Sequence, residues 1–429
     1  MSTANPYAGV GPRLAGQARA GPGVERWGAV TTVQQRLDLL IVSNGHGEDA
    51  IGARLGAAFR ERRPELALAA FPLVGPGEAY RQAGIALAFR SRPMPSGGFG
   101  WQDPRAFLRD VAAGFLSLTA AQMDALRRLR ERVGALLLVG DIYPVLMTLA
   151  YRVPRALVAT ARSDYISPHL AVERRILARA CRVVFARDEP TARSLARDGV
   201  PAVCVGNVMM DMVEPSGLSL GLREGAPVVG VLPGSRQDWP DNLLAIAGVL
   251  RRVREGRPDV QAVAALAGPL PEPGRLGDAW ETEPADEAGR QAGLDGWLVD
   301  RADGWRMGLS RSAFGDVLAR ADLVVGLAGT ANEQAAGLGR VVVAFARPGV
   351  QYTRRFALRQ KRLLGDALVL ADGPEQAAQE VLRLLDDPQE RLRRGEVGRQ
   401  RMGPPGATRR VVAVAERVLG LCPDCPKEA

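Results

Sequence analysis

A chain of 429 residues exceeds what one hydrophobic core ordinarily sustains, so two or three domains are expected. Hydrophobic residues make up 47% and charged residues 24%, which excludes wholesale disorder, and 5% aromatics argues against a protein built on base-stacking platforms. The formal charge of +9 rests almost wholly on arginine, since Lys361 and Lys427 are the only lysines, and the longest apolar runs fall short of the roughly 20 residues that a spanning helix needs.

Residues 1–35 are rich in Ala, Gly and Pro, lack periodicity and lack the apolar stretch of a signal peptide, so a disordered leader is expected. Order begins at 36 and a first domain is expected over 36–212. The apolar run Leu37–Ser43 breaks into Asn44-Gly45-His46-Gly47, and a helical pattern runs from about Glu48 to Arg62. Further strand candidates lie near 66–72, 85–90, 135–140, 155–159, 182–186 and 202–205, mostly separated by helical patterns. Apolar strands alternating with helices predict a parallel sheet covered on both faces.

Residues 213–227 read as a linker, and a second domain is expected over 228–385, opening with Val228–Leu232. Its other strand candidates are 259–265, 296–299, 323–326, 341–345 and 367–370, with 268–293 read as a long surface insertion. The chain is helical from about 374 to 419, and 386–429 are set apart as C-terminal helices and a tail. The predicted class is α/β, two doubly wound Rossmann-like domains facing a cleft, with ligands at the carboxyl ends of the strands.

Four strand-to-helix turns carry candidate chemistry. In Pro233-Gly234-Ser235-Arg236, Gly234 permits close backbone approach, free N–H groups attract an anion and Arg236 can grip phosphate; the plain alternative is a simple turn with a solvated arginine. In Gly329-Thr330-Ala331-Asn332-Glu333, Thr330 and Glu333 have capping-box spacing; otherwise Thr330 lies near a phosphate and Glu333 accepts from ribose hydroxyls. His46, one of two histidines, stands between Gly45 and Gly47 at the head of the first sheet, while Glu48 and Asp49 suit a helix N-terminus. Asp141 ends the apolar run Leu136–Val139, where it suits either a general base or a helix cap.

Cys181 and Cys204 lie in apolar context as expected buried thiols, and Cys422-x-x-Cys425 is a single pair without histidines, so neither metal nor cofactor is expected. The compartment these cysteines suit is the reducing cytoplasm. From Leu126 to Arg187 twelve arginines face four acids, an excess of eight charges. That suits an anionic membrane or acidic lipid, or is a solvated surface; no nucleic-acid module accompanies it.

Together these turns resemble lipid-A-disaccharide synthase, a two-domain glycosyltransferase of the GT-B fold, over roughly residues 37–400. Val231–Arg236 is similar to the family's LLPGSR. Ala321-Asp322 with Gly329–Glu333 resembles its SD…SGTAALE pattern, and Gly206–Asp211 resembles GHTMAD with Asn207 in place of histidine. Asn44–Asp49 stands where the family has a GETSGD-like turn, and Val139–Asp141 resembles the strand end with its candidate catalytic aspartate. The family's PSVWAWR stretch is replaced by Ser163–His169.

The resemblance implies sugar transfer from a UDP-sugar to a lipid-linked hydroxyl. Asp141 or His46 would act as base, and Gly234, Ser235, Arg236, Gly329, Thr330, Asn332 and Glu333 would hold the donor. Gly45, Gly47, Asp49, Asn207 and Asp211 would lie on the acceptor side. The expected partners are the UDP-sugar, the lipid acceptor and an anionic membrane surface, not nucleic acid. The expected location is the cytoplasm, peripherally on the inner face of the membrane. A sugar-nucleotide epimerase of the same fold, a transferase for another polyprenyl or diacylglycerol lipid, and a non-catalytic basic lipid-binding protein are the alternatives.

Overall fold

The computed structural model describes residues 35–91, 115–349 and 352–422; all but the last residue of the expected leader, and Cys425, lie outside them. Six strands form the first sheet: β1 Leu37–Ser43, β2 Leu68–Pro72, β3 Val133–Gly140, β4 Arg155–Ala159, β5 Val183–Phe185 and β6 Ala202–Val203. They are all parallel, in the order β2-β1-β3-β4-β5-β6. Branched and apolar residues fill these strands because helices cover both faces: Leu40 and Val42 join one buried cluster, Leu39 and Ile41 the other. Residues 85–90, predicted as a strand, make only the isolated bridge Ala70–Leu87.

The second sheet has eight strands: β7 Val228–Leu232, β8 Gln261–Ala265, β9 Trp280–Pro284, β10 Gly296–Asp300, β11 Arg306–Ser310, β12 Leu323–Gly326, β13 Val341–Phe345 and β14 Leu368–Ala371. Their order is β14-β13-β12-β7-β8-β11-β10-β9. β10 runs antiparallel to both β9 and β11. The insertion expected at 268–293 therefore supplies an edge strand, and β11 was not foreseen because Arg306-Met307-Gly308-Leu309-Ser310 is short and opens on a charge.

The expected linker 213–227 instead lies along the second domain. Asp316 Oδ1 accepts from Gly217 N and Leu218 N at 2.7 and 3.0 Å, and Leu220 is buried. The crossing between domains is the preceding 3-10 turn Val208–Met212, whose Val208 packs in the first core while Met209 and Met210 pack in the second.

The single C-terminal helical stretch is three helices, Pro374–Asp386, Pro388–Met402 and Ala407–Val418. The last returns to the first domain and buries Val411, Val412, Ala415 and Leu419 there, each large side chain worth about 1.5–3 kcal/mol. Asp211 holds the return: its Oδ1 accepts from Gly406 N at 2.5 Å and its Oδ2 from Thr408 N at 2.6 Å. At Gly206 (φ +99°) a Cβ would fall 2.9 Å from Pro404 O, so the outgoing and returning chains touch backbone to backbone.

Candidate functional site

Strand order locates the crevices. In the first sheet β2 lies on one side of β1 and β3 on the other, so the switch point opens at the carboxyl ends of β1 and β3. In the second, β8 and β12 flank β7, and the switch point lies at the ends of β7 and β12. All four turns singled out in the sequence follow these strands: Asn44–Asp49, Asp141, Pro233–Arg236 and Gly329–Glu333.

At the first switch point Asp141 caps the helix Ile142–Met147, its Oδ1 accepting from Tyr143 N at 2.8 Å and from Asn44 Nδ2 at 2.7 Å. Both bonds fall on one oxygen of a half-exposed carboxylate, so capping and chemistry are compatible here. Gly140 (φ +142°) makes room: a Cβ there would sit 1.7 Å from Asn44 Oδ1. His46 opens the helix His46–Arg62, is exposed, and lies over Gly75, whose Cβ would come within 2.4 Å of the imidazole Cε1. Gly45 is buried beneath the folded-back Glu48 side chain, and a Cβ on exposed Gly47 would meet nothing within 4 Å.

Asp49 does not reach this opening. It is 2% exposed and accepts from Ser43 Oγ at 2.6 Å, while Tyr80 OH donates to the same hydroxyl at 2.8 Å. Burial, opposed by the Ser43 hydrogen bond and aided by Glu48, raises its pKa to about 7. Asn207 and Asp211, also expected on the acceptor side, sit at the crossing: Asn207 Oδ1 accepts from Met209 N at 3.1 Å, and Asp211 caps the returning helix. Asp49, Asn207 and Asp211 therefore brace the cleft rather than line it.

At the second switch point Gly234 takes φ +95° after β7, which only glycine adopts without strain, and Ser235 and Arg236 are exposed before the helix Trp239–Gly256. Asn242 Nδ2 clamps the loop by donating to Pro233 O at 3.0 Å. The helix Thr330–Gly337 follows β12 with Gly329 at its cap and no side chain bonding its first N–H groups. The predicted capping box does not form. Thr330 is already the first helical residue, and Glu333 instead accepts from Arg187 Nη2 of the first domain at 2.8 Å. Those backbone donors remain directed at the crevice, where an anion is favoured.

Asn332, expected as a donor contact, is wholly buried; its Nδ2 donates to Gly326 O and to Gln360 Oε1, each at 3.0 Å. Gln360 Nε2 donates to Ala328 O and Gly329 O, and Tyr352 OH donates to Gln360 Oε1. Asn332, Gln360 and Tyr352 thus fix the turn from beneath. Sequence reading missed Gln360, Tyr352, Arg187 and Asn44, and only Asn44 carried a signal, from its place after β1. Among the described residues no group of His, Cys, Asp or Glu has metal-binding geometry.

Two doubly wound domains with facing switch points define the GT-B fold, which solved structures share. A UDP-N-acetylglucosamine 2-epimerase superposes with a TM-score of 0.56 at 16% identity, covering 92% of this chain and 99% of that one. The calicheamicin glycosyltransferase gives 0.57 at 15%, covering 90% and 99%. The Neisseria meningitidis UDP-GlcNAc 2-epimerase bound to UDP-GlcNAc gives 0.53 at 12%, covering 88% and 99%. No protein-family model matches the chain. Among curated proteins, lipid-A-disaccharide synthase of Alkalilimnicola ehrlichii is 27% identical over 373 residues, 81% of this chain and 89% of that protein. That of Geobacter sulfurreducens is 25% identical over 249 residues, 52% of this chain and only 59% of its own length. These curated proteins are what the chain is similar to, at 25–27% identity.

Proposed function

We propose that this protein is a UDP-sugar-dependent glycosyltransferase that moves a hexosyl group to a hydroxyl on a lipid. The observation that carries the reading is the pair of second-domain turns at one switch point: the Gly234–Arg236 loop and the uncapped start of the helix Thr330–Gly337. Both present backbone N–H groups, and Arg236 adds a guanidinium, where a diphosphate leaving group would need its charge met. Glu333 is the carboxylate for the ribose. Across the cleft, Asp141 or His46 takes the proton of the attacking hydroxyl.

The lipid acceptor is supported by surface character. Of the twelve arginines counted in the sequence, Arg155, Arg162, Arg174 and Arg187 turn to internal partners, leaving eight exposed. Arg127, Arg128, Arg130, Arg132, Arg152 and Arg182 lie just before β3, β4 or β5, at the amino ends of the strands and away from the cleft. Toward the carboxyl ends, Leu170 and Val172, at the start of the helix Ala171–Ala180 that follows β4, are exposed, with Arg175 exposed about one turn further on. Apolar side chains beside a cation suit an anionic bilayer more closely than the distant arginines do. No helix among the described residues is long and apolar enough to cross a membrane.

Release of UDP from a panel of UDP-sugars, with and without lipid acceptors, tests the reading. UDP release that depends on a lipid acceptor is expected. The epimerase alternative is favoured by the epimerase structures of the same fold; it predicts a changed sugar from UDP-sugar alone, and that result would replace the transferase.

A further inference from the structure

Arg187 follows β5 of the first sheet, yet its Nη2 donates to Glu333 Oε2 of the second domain at 2.8 Å while its Nη1 donates to Thr160 O at 3.1 Å. The two charged side chains are 13% and 17% exposed, so the pair is largely withdrawn from water. Thr160 Oγ1 in turn donates to Glu48 Oε1 at 3.0 Å. A continuous polar path therefore runs from Glu48 at the head of the first sheet, through Thr160 and Arg187, to Glu333 beside the second-domain turn. In such a place the bond is charge-assisted and poorly screened, and separating it requires a replacement partner for each charge.

We propose that Arg187 gates the donor site. With the cleft empty, its guanidinium occupies the carboxylate that a ribose diol would take. Nucleotide entry is then an exchange in which two hydroxyls replace the guanidinium on Glu333. Only hydrogen-bond partners change; no covalent bond is made or broken. Arg187 stays on the Thr160 carbonyl, so the exchange frees one domain from the other at this point. The inference rests on the donor site proposed above and adds a residue from the opposite domain to it as a positioning group.

Calorimetric titration of the full chain with uridine, an uncharged molecule that carries the ribose diol, separates the gate from the donor site. Arg187→Gln should bind uridine roughly tenfold tighter than wild type, since one charge-assisted hydrogen bond no longer has to be given up. Arg187→Lys should return most of the way to wild type, and 2′,3′-dideoxyuridine should gain nothing from the Gln substitution. Equal uridine affinity in wild type and Arg187→Gln, with UDP binding intact, overturns the gate and leaves the donor site standing. Loss of uridine binding in a folded Arg187→Gln also overturns it, because Arg187 would then be a direct ligand. Wild type that binds no UDP overturns the donor site and the gate together. Should Arg187→Gln unfold, wild type decides through salt: uridine affinity that rises with ionic strength supports a competing ion pair, and a flat or falling dependence rejects it.

Discussion

Replacing Asp49 by Asn converts the buried carboxyl at the head of β1 into a group that cannot ionise. In the folded protein its pKa is raised to about 7 from the ordinary 3.8, because the site offers the charged form little beyond the Ser43 hydroxyl. A carboxyl whose pKa is higher folded than unfolded contributes stability that is complete below the unfolded value and is lost as pH rises through the folded one. The total is about 4 kcal/mol at 1.36 kcal/mol per unit, of which roughly 2–3 kcal/mol falls between pH 5 and pH 8. Wild type should therefore lose that much more stability than Asp49→Asn over this interval. The Asn amide brings its own fixed cost, so only the difference between the two pH values is diagnostic. Urea denaturation followed by circular dichroism at each pH measures it. Trp239, Trp280, Trp297 and Trp305 all lie in the second domain, so most of the chain's six indoles report on the half that Asp49 does not touch. If the gap between the two proteins is the same at pH 5 and pH 8, Asp49 is ionised throughout and the description of this buried network is wrong.

Arg236→Ala should weaken UDP binding by about 1.5–3 kcal/mol, the worth of a hydrogen bond to a charged group, and calorimetry showing unchanged affinity in a folded variant removes Arg236 from the donor site. Asp141→Asn keeps an oxygen for Tyr143 N and Asn44 Nδ2, so the variant should fold and bind UDP. It or His46→Ala should cut turnover by roughly 100- to 10,000-fold, and normal turnover in both places the base elsewhere. Leu170→Asp with Val172→Asp should release the protein from phosphatidylglycerol vesicles in flotation at low salt more completely than Arg127→Glu, Arg128→Glu and Arg130→Glu combined. The reverse ranking would return the membrane face to the amino ends of the strands.

The alternation of apolar runs with helical patterns was enough to read two parallel sheets, because a strand buried on both faces must be apolar along its whole length. Glycines at positive φ, such as Gly234, marked the turns, since a close backbone approach leaves no alternative residue. The same logic placed Asp141, Arg236 and His46 at strand ends, and the switch points confirm that position for each. What the linear pattern lacked was partner information. Asn332 stands two positions after Thr330, on the opposite side of its helix, and Asp49 stands one turn deeper than His46, where it bonds the buried Ser43 hydroxyl, so burial withdrew both from the cleft. Glu333 had the spacing of a cap, but its partner is 146 positions away in the chain, on the other domain. The arginine excess was counted correctly as charge, yet four of those side chains turn inward and most of the rest lie at the far ends of the strands, because direction along a strand is set by the fold and not by composition. Sequence determined which residues stand at the carboxyl ends; tertiary structure alone decided which of them face the cleft and which hold it from behind.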